Sequence, residues 1–242
     1  MTALVGAELL KLRTTRTALG FLIAIVLLTL AAQGAGFATN DFRTAEDLRE
    51  GLAGAGVAAT FLLILGTIGT SGEYRHGTIT SALLASPDRR LLVAAKAIAY
   101  MITGALLGLA AMLVTFAMGA IWLSARDAPL ELLGPADFLA LAVQGMLSAA
   151  LAGAVGVAIG AIVRNQIAAV VGILVYLFVV EPLIGLIPGR VAEFTIGSAQ
   201  AGLEGAGFAD TLDPLPAGLV FAVWALVLGL IAAELEARRD VV

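Results

Sequence analysis

The chain has 242 residues, of which 60% are hydrophobic and 13% charged, and its mean hydropathy is +1.02. Soluble domains are about half apolar and about one quarter charged, so this composition excludes an ordinary soluble domain and indicates an integral membrane protein. The absence of cysteine excludes disulfides, thiol nucleophiles and cysteine-ligated metals. The 28 glycines suit helices that pack closely in lipid.

The first predicted element is a short helix in residues 1–17, before any spanning run. Leu4 and Leu12 fall at helical spacing, and Glu8 stands three residues before Lys11 as a polar pair. This pattern predicts an amphipathic helix on the membrane surface, with its basic side chains near anionic lipid head groups. The charged residues assigned to this interfacial helix are Glu8, Lys11, Arg13 and Arg16.

Six apolar runs follow, and each is long enough for a helix that crosses a bilayer, which needs about 20 residues. The sequence therefore predicts an all-α membrane protein with a six-span domain over residues 18–242. The third and fourth runs exceed the length of a perpendicular span, which predicts tilt or protrusion into water. Small residues such as Gly104 and Gly108, and the glycines of 153–160, are expected at close helix contacts. The predicted spans lie near residues 18–38, 51–71, 91–123, 137–163, 167–187 and 216–236.

The distribution of lysine and arginine predicts the orientation of the spans. With a cytoplasmic N-terminus, ten of the 14 basic residues lie on the cytoplasmic side. The other four lie outside: Arg43, Arg49, Arg126 and Arg190. Because cytoplasmic loops carry an excess of basic residues, both termini are predicted to be cytoplasmic. The composition, rich in alanine, glycine and arginine, favours a bacterial protein, and hence the bacterial plasma membrane.

The connection between the second and third spans is the most polar short segment, and it contains "GEYRHGTI" at 72–79. Thr70 and Glu73 have the spacing of a capping box, which would begin a helix. Ser86 followed by Pro87 has the form of an N-cap and a first helical residue, which would begin the third span. These signals predict a short cytoplasmic helix over Glu73–Leu84, with one apolar and one charged side.

The segments "AELLKLRTTR" and "GEYRHGTI" resemble the permease subunits of ABC-2 type exporters. The resemblance implies that residues 1–17 form the connecting (elbow) helix. It also implies that residues 72–84 form the coupling helix, which fits a cleft in the ATPase subunit. The turn between the fourth and fifth spans would make a second contact there. The coupling residues so identified are Glu73, Tyr74, Arg75, His76, Gly77, Thr78, Ile79 and Arg164.

The resemblance also implies the partners of the chain. The sequence contains no Gly-x-x-x-x-Gly-Lys-Ser/Thr motif. The chain is therefore expected to be non-catalytic and to bind no cofactor, with ATP and Mg²⁺ held by a separate ATPase subunit in two copies. A single six-span unit leaves no partner for a substrate-sized path, so a dimer is expected, as a homodimer or with a related permease. Membrane lipids are expected partners, and nucleic acid is not.

Three polar residues are candidates for lining a translocation path. Gln33 and Gln144 lie inside predicted spans, and Glu181 ends an apolar run, where an ionisable group usually faces a cavity or a partner. His76 lacks neighbouring ligands, so no metal site is predicted. Two alternatives stay open: an ion- or proton-driven carrier, which needs buried acids, and an intramembrane enzyme, which needs paired ionisable groups at membrane depth.

Overall fold

The computed structural model describes residues 1–39, 44–53, 56–86, 88–125, 133–187, 189–205 and 211–239. Within these ranges the chain is helical and contains no strand. A π-helical segment, Tyr176–Val180, joins α8 to α9, and a 3₁₀ turn, Ala192–Phe194, precedes α10. The α-helices are α1 Thr2–Thr14, α2 Arg16–Thr39, α3 Ala45–Leu52, α4 Gly56–Arg75, α5 Ile79–Ala85, α6 Arg89–Ala125, α7 Pro135–Val163, α8 Gln166–Val175, α9 Glu181–Gly185, α10 Ile196–Glu204 and α11 Pro214–Arg238.

Six helices in the described part of the chain are long and apolar enough to cross a membrane, which confirms the predicted number. They comprise α2, α4, α6, α7, the continuous run α8–π–α9, and α11. The third and fourth have 37 and 29 residues, so each extends beyond its predicted bounds of 91–123 and 137–163. The second span differs from its prediction, since residues 45–52 form α3 and α4 continues to Arg75.

The central helix is α7, which packs against α4, α6 and α11. Its buried residues, such as Ala149, Ala152 and Val155, lie on more than one face, as expected of an apolar helix inside a bundle. By contrast, α2 and α11 leave many leucines exposed, including Leu27 and Leu226. The core therefore lies around α7, and the outer helices present the apolar surface that a membrane would cover.

Glycines bring α7 close to both of its long neighbours. A β-carbon on Gly108 of α6 would lie 2.7 Å from the Gly145 carbonyl oxygen of α7. One on Gly66 of α4 would lie 2.5 Å from the Gly153 carbonyl oxygen. Both distances are too short for a real side chain, so larger residues would push the helices apart. The close contacts predicted from glycine spacing are thus confirmed.

The segment after the second span is organised differently from its prediction. Thr70 lies inside α4, and the Glu73 side chain bonds to lysines, so the two form no capping box. The last turn of α4 ends at Gly77, whose φ of +67° suits a residue without a side chain. The short helix begins at Ile79 instead of Glu73, because a favourable partner for Glu73 lets the α4 hydrogen-bond ladder continue.

The start of α6 also differs from its prediction. Ser86 follows α5, and its backbone N–H donates to the Ala82 carbonyl oxygen at 3.0 Å. The side chain of Asp88 caps α6 by accepting from the Leu91 backbone N–H at 3.1 Å. Ser86 is therefore not the N-cap, and Pro87 lies outside the described residues.

The two ends of the bundle are named by a short helix that each contains. The α1 end holds α1, the turn 76–78, α5, the turn between α7 and α8, and the last residues of α11. The α3 end holds α3, α10 and the first residues of α7 and α11.

Candidate functional site

Four charged side chains meet at the α1 end, and they are called here the ion cluster: Glu8, Lys11, Glu73 and Lys96. Lys96 Nζ donates to Glu8 Oε1 at 2.9 Å and to Glu73 Oε1 at 2.5 Å. Lys11 Nζ donates to the same two oxygens, also at 2.9 and 2.5 Å. The cluster joins α1, α4 and α6, and its two acids balance its two lysines.

Burial makes this pairing obligatory for three of the four groups. The side chains of Lys96, Glu73 and Glu8 are 3%, 7% and 8% exposed, whereas that of Lys11 is 49% exposed. A buried charge without a partner is very costly, so each acid needs a lysine. Burial alone would raise the pKa of Glu8, but the charges and hydrogen bonds of Lys96 and Lys11 lower it below its ordinary value.

A second cluster surrounds Glu236 near the end of α11. Arg164 binds its carboxylate with two hydrogen bonds, Nε to Oε1 at 3.1 Å and Nη2 to Oε2 at 2.8 Å. The guanidinium lies 5.0 Å from the centre of the Tyr74 ring, and the Tyr74 hydroxyl donates to Glu236. Arg89 donates to the Glu236 carbonyl oxygen at 3.2 Å. The Glu236 cluster thus fastens α4, α6 and the turn after α7 to α11.

The predicted coupling residues divide into two groups by exposure. Arg75, His76, Gly77 and Thr78 are exposed, and Arg75 donates to the Gln166 side chain at 3.3 Å. The others point inward: Glu73 and Ile79 are buried, and Tyr74 and Arg164 belong to the Glu236 cluster. Arg164, predicted as a contact for the ATPase, is bound within the chain. A contact with a partner stays a prediction for all eight residues, of which Arg75–Thr78 are the exposed ones.

The predicted interfacial residues of α1 also divide. Glu8 and Lys11 form the predicted polar pair at 2.9 Å, but they belong to the ion cluster and face the bundle. Leu12 is buried on the same side of α1. Arg13 and Arg16 are exposed. Lys11 is nevertheless 49% exposed, and a contact with lipid head groups stays a prediction for all four residues.

A polar cavity of about 640 Å³ opens at the α3 end, between α3, α7, α10 and the start of α11. Gln144 lines it, as do Glu50 and Asp213. Arg49 and Asp137, also in the lining, form an ion pair between α3 and α7. Pockets of this volume are typical of small-ligand sites.

Glu204 is buried close to this cavity, and its sequence neighbours Gly202 and Gly205 line it. The Ser148 hydroxyl donates to its carboxylate, and Gln200 forms a further hydrogen bond. Burial raises the pKa of Glu204 to about 7, although these two hydrogen bonds act in the opposite direction.

The three candidate path residues are not brought together. Gln144 lines the α3-end cavity, whereas Gln33 is buried in α2. Glu181 caps the N-terminus of α10, accepting from the backbone N–H groups of Gly197 at 2.7 Å and Ser198 at 3.1 Å. Its carboxylate holds α10 against the fifth span, which is a structural role. A place on the path stays a prediction for all three.

Sequence reasoning missed four residues that carry the site: Lys96, Ser148, Glu204 and Glu236. Lys96 had a usable signal, since it stands alone in the apolar run "LLVAAKAIAY" and an ionisable residue in a span is a functional candidate. Glu236 lies among other charges near the end of α11, where a solvated flank is the ordinary interpretation. Glu204 lies in a connection between spans, where an acid carries no signal.

Comparison with known proteins relates this architecture to a family. No curated protein matches the chain at a significant level. A family model described as "ABC-2 family transporter protein" matches residues 4–180, which include the whole ion cluster, the first four spans and most of the fifth. Members of this family are membrane subunits for transport, without catalysis of their own, and work with an ABC ATPase subunit. The chain therefore belongs to the ABC-2 family of transporter permeases.

Proposed function

We propose that this chain is the transmembrane permease subunit of an ATP-driven exporter. It lines the translocation path as a dimer, with a second identical or related permease. A separate ATPase subunit, present in two copies, binds ATP and Mg²⁺. The proposal rests on family membership together with the arrangement of the α1 end.

One observation carries the coupling part of the proposal. The exposed residues Arg75–Thr78 follow directly after two residues that are fastened inward. Glu73 is bonded to α1 and α6, and Tyr74 is bonded to α11. A force applied to the turn is therefore passed to several helices at once instead of bending a loose loop. Such a turn suits a docking element for a motor that works in water.

The basic residues exposed at the α1 end support one orientation of the chain in the membrane. Arg13, Arg16, Arg75 and His76 are exposed at the α1 end. An excess of basic residues marks the cytoplasmic side, which is also where an ATPase would find ATP. The α1 end is thus the cytoplasmic end, in a bacterial plasma membrane, and α1 is the elbow helix at the lipid surface. The α3-end cavity then opens outward, as expected for an exit.

The test is binding of the partner ATPase to charge-reversed variants. Arg75→Glu should reduce co-purification of the ATPase about tenfold, because like charges at an interface cost affinity. Arg190→Glu makes the same change at an exposed arginine far from the α1 end and serves as the matched control. Equal co-purification of the ATPase with both variants would contradict docking at the 75–78 turn.

A proton-driven carrier is the alternative that one observation favours. Glu204 is buried beside a cavity, and its pKa of about 7 would allow proton exchange at physiological pH. The two mechanisms differ in their energy source. Transport into vesicles that stops when the ATPase is made hydrolysis-deficient, and persists with a protonophore, supports the exporter. The reverse pattern supports the carrier.

A further inference from the structure

A second cavity, called here the α1 pocket, lies at the α1 end and has a volume of about 440 Å³. It lies between α1, α4, α6 and the start of α8. Its inner part is apolar and is formed by Leu12, Leu65, Ile68 and Tyr100. Its size falls within the range of ligand pockets, and its largely apolar lining suits a hydrocarbon group.

Two glycines line this pocket. The Tyr100 hydroxyl packs directly against Gly69, so no side chain would fit there. A β-carbon at Gly72 would lie 4.0 Å from its nearest neighbour, the Gln166 side-chain oxygen. Gly72 therefore faces open space in the pocket, and a larger residue at this position would occupy that space without a clash.

The pocket is bordered by basic side chains. Lys11 and His76 line it, Arg16 lies between the lining residues Thr15 and Thr17, and Arg75 is bonded to the lining residue Gln166. The lining itself contains one lysine and one glutamate, Lys11 and Glu73, so the excess positive charge comes from the exposed arginines next to it, Arg16 and Arg75.

Both acids of the region are paired with lysines. Glu73 is in the lining, and both it and Glu8 are bonded to Lys11 and Lys96. Arg16 and Arg75, which are exposed, can therefore contact a ligand. Basic pockets between membrane helices are typical binding sites for anionic lipid head groups.

We propose that the α1 pocket binds one anionic phospholipid. An acyl chain lies against Leu65, Ile68 and Tyr100, and the phosphate lies near Arg16 and Arg75. A lipid fits better than a segment of a partner protein, because the apolar part of the site is enclosed by helices at the edge of the spans and its polar part is bordered by excess positive charge. This inference does not depend on the coupling role of the 75–78 turn.

The experiment measures lipid retention by the purified full-length chain with native mass spectrometry. The chain is titrated with phosphatidylglycerol and with phosphatidylcholine of the same acyl chains. One phosphatidylglycerol should bind per chain with at least tenfold preference. Gly72→Leu should abolish this binding, whereas Gly20→Leu, at an exposed glycine with no neighbour within 4 Å, should leave it unchanged.

A second variant tests charge without filling the pocket. Arg16→Gln combined with Arg75→Gln should weaken phosphatidylglycerol binding about 30-fold, since each arginine near an anionic surface contributes about fivefold. Both side chains are exposed, so the fold should be retained. Equal retention of both lipids, full binding by Gly72→Leu, or displacement by soluble glycerol phosphate would each overturn the proposal.

Discussion

Replacing Lys96 with methionine tests whether the ion cluster holds α1 and α4 to α6. Methionine keeps the unbranched chain but removes the ammonium group that bonds Glu8 at 2.9 Å and Glu73 at 2.5 Å. The two carboxylates, 8% and 7% exposed, would then share Lys11 alone. Removing one partner from a buried ion pair costs about 3–5 kcal/mol, and this loss is expected for the free energy of unfolding.

Lys11→Met is the matched control, because Lys11 bonds the same two oxygens but is 49% exposed. Water can replace its contribution, so a loss of about 1 kcal/mol or less is expected. Combining Lys96→Met with Glu8→Gln and Glu73→Gln should recover most of the lost stability, since no uncompensated charge remains buried.

The assay is reversible unfolding in mixed micelles as the fraction of denaturing detergent rises. Fitting the transition gives the free energy of unfolding for each variant. Equal losses for Lys96→Met and Lys11→Met would refute the reasoning, because burial would then not set the cost. A triple variant no more stable than Lys96→Met would refute it too, since the loss would come from packing instead of charge.

Four further outcomes are expected. Gly66→Leu should separate α4 from α7 and lower the melting temperature, whereas Gly20→Leu should not. Arg164→Lys should destabilise the chain by about 1–2 kcal/mol in the same unfolding assay, because a lysine loses one of the two bonds to its carboxylate partner. Glu204→Gln should stabilise at about pH 8 and not at about pH 5. Burial raises the pKa of Glu204 from 4.5 in the unfolded chain to about 7 in the folded protein, and this shift costs about 3 kcal/mol above pH 7. Glu8→Gln should reduce the loss of unfolding free energy in acid, since the lowered pKa of Glu8 stabilises the fold above its unfolded value of 4.5 and this contribution disappears as pH falls through the folded pKa.

Much of the fold could be predicted from local properties of the chain. Each span is recognised by its own length and apolarity, because a bilayer imposes the same requirement on every crossing helix. The glycines Gly104 and Gly108 mark close contacts for a similar reason, since only small residues let backbones approach. The helix ends were less predictable. The segment Thr70–Glu73 has the spacing of a capping box but lies inside α4, because the lysines that bind Glu73 come from α1 and α6.

The candidate site depended on partners distant in sequence. Lys96 and Glu8 are 88 residues apart, and Arg164 and Glu236 are 72 residues apart. Which acid meets which base is set by helix packing, and no spacing rule within the chain contains that information.

By itself, the sequence determined the membrane class, the six spans, the glycine contacts and the basic character of the α1 end, because each follows from residues that are neighbours along the chain. Only the tertiary structure decided that Glu73 and Tyr74 face inward while Arg75–Thr78 face outward, and that Glu204 is buried beside a cavity. The physical reason is burial. A charged carboxylate costs little in water but needs a partner inside a bundle, and only packing decides which carboxylates are buried.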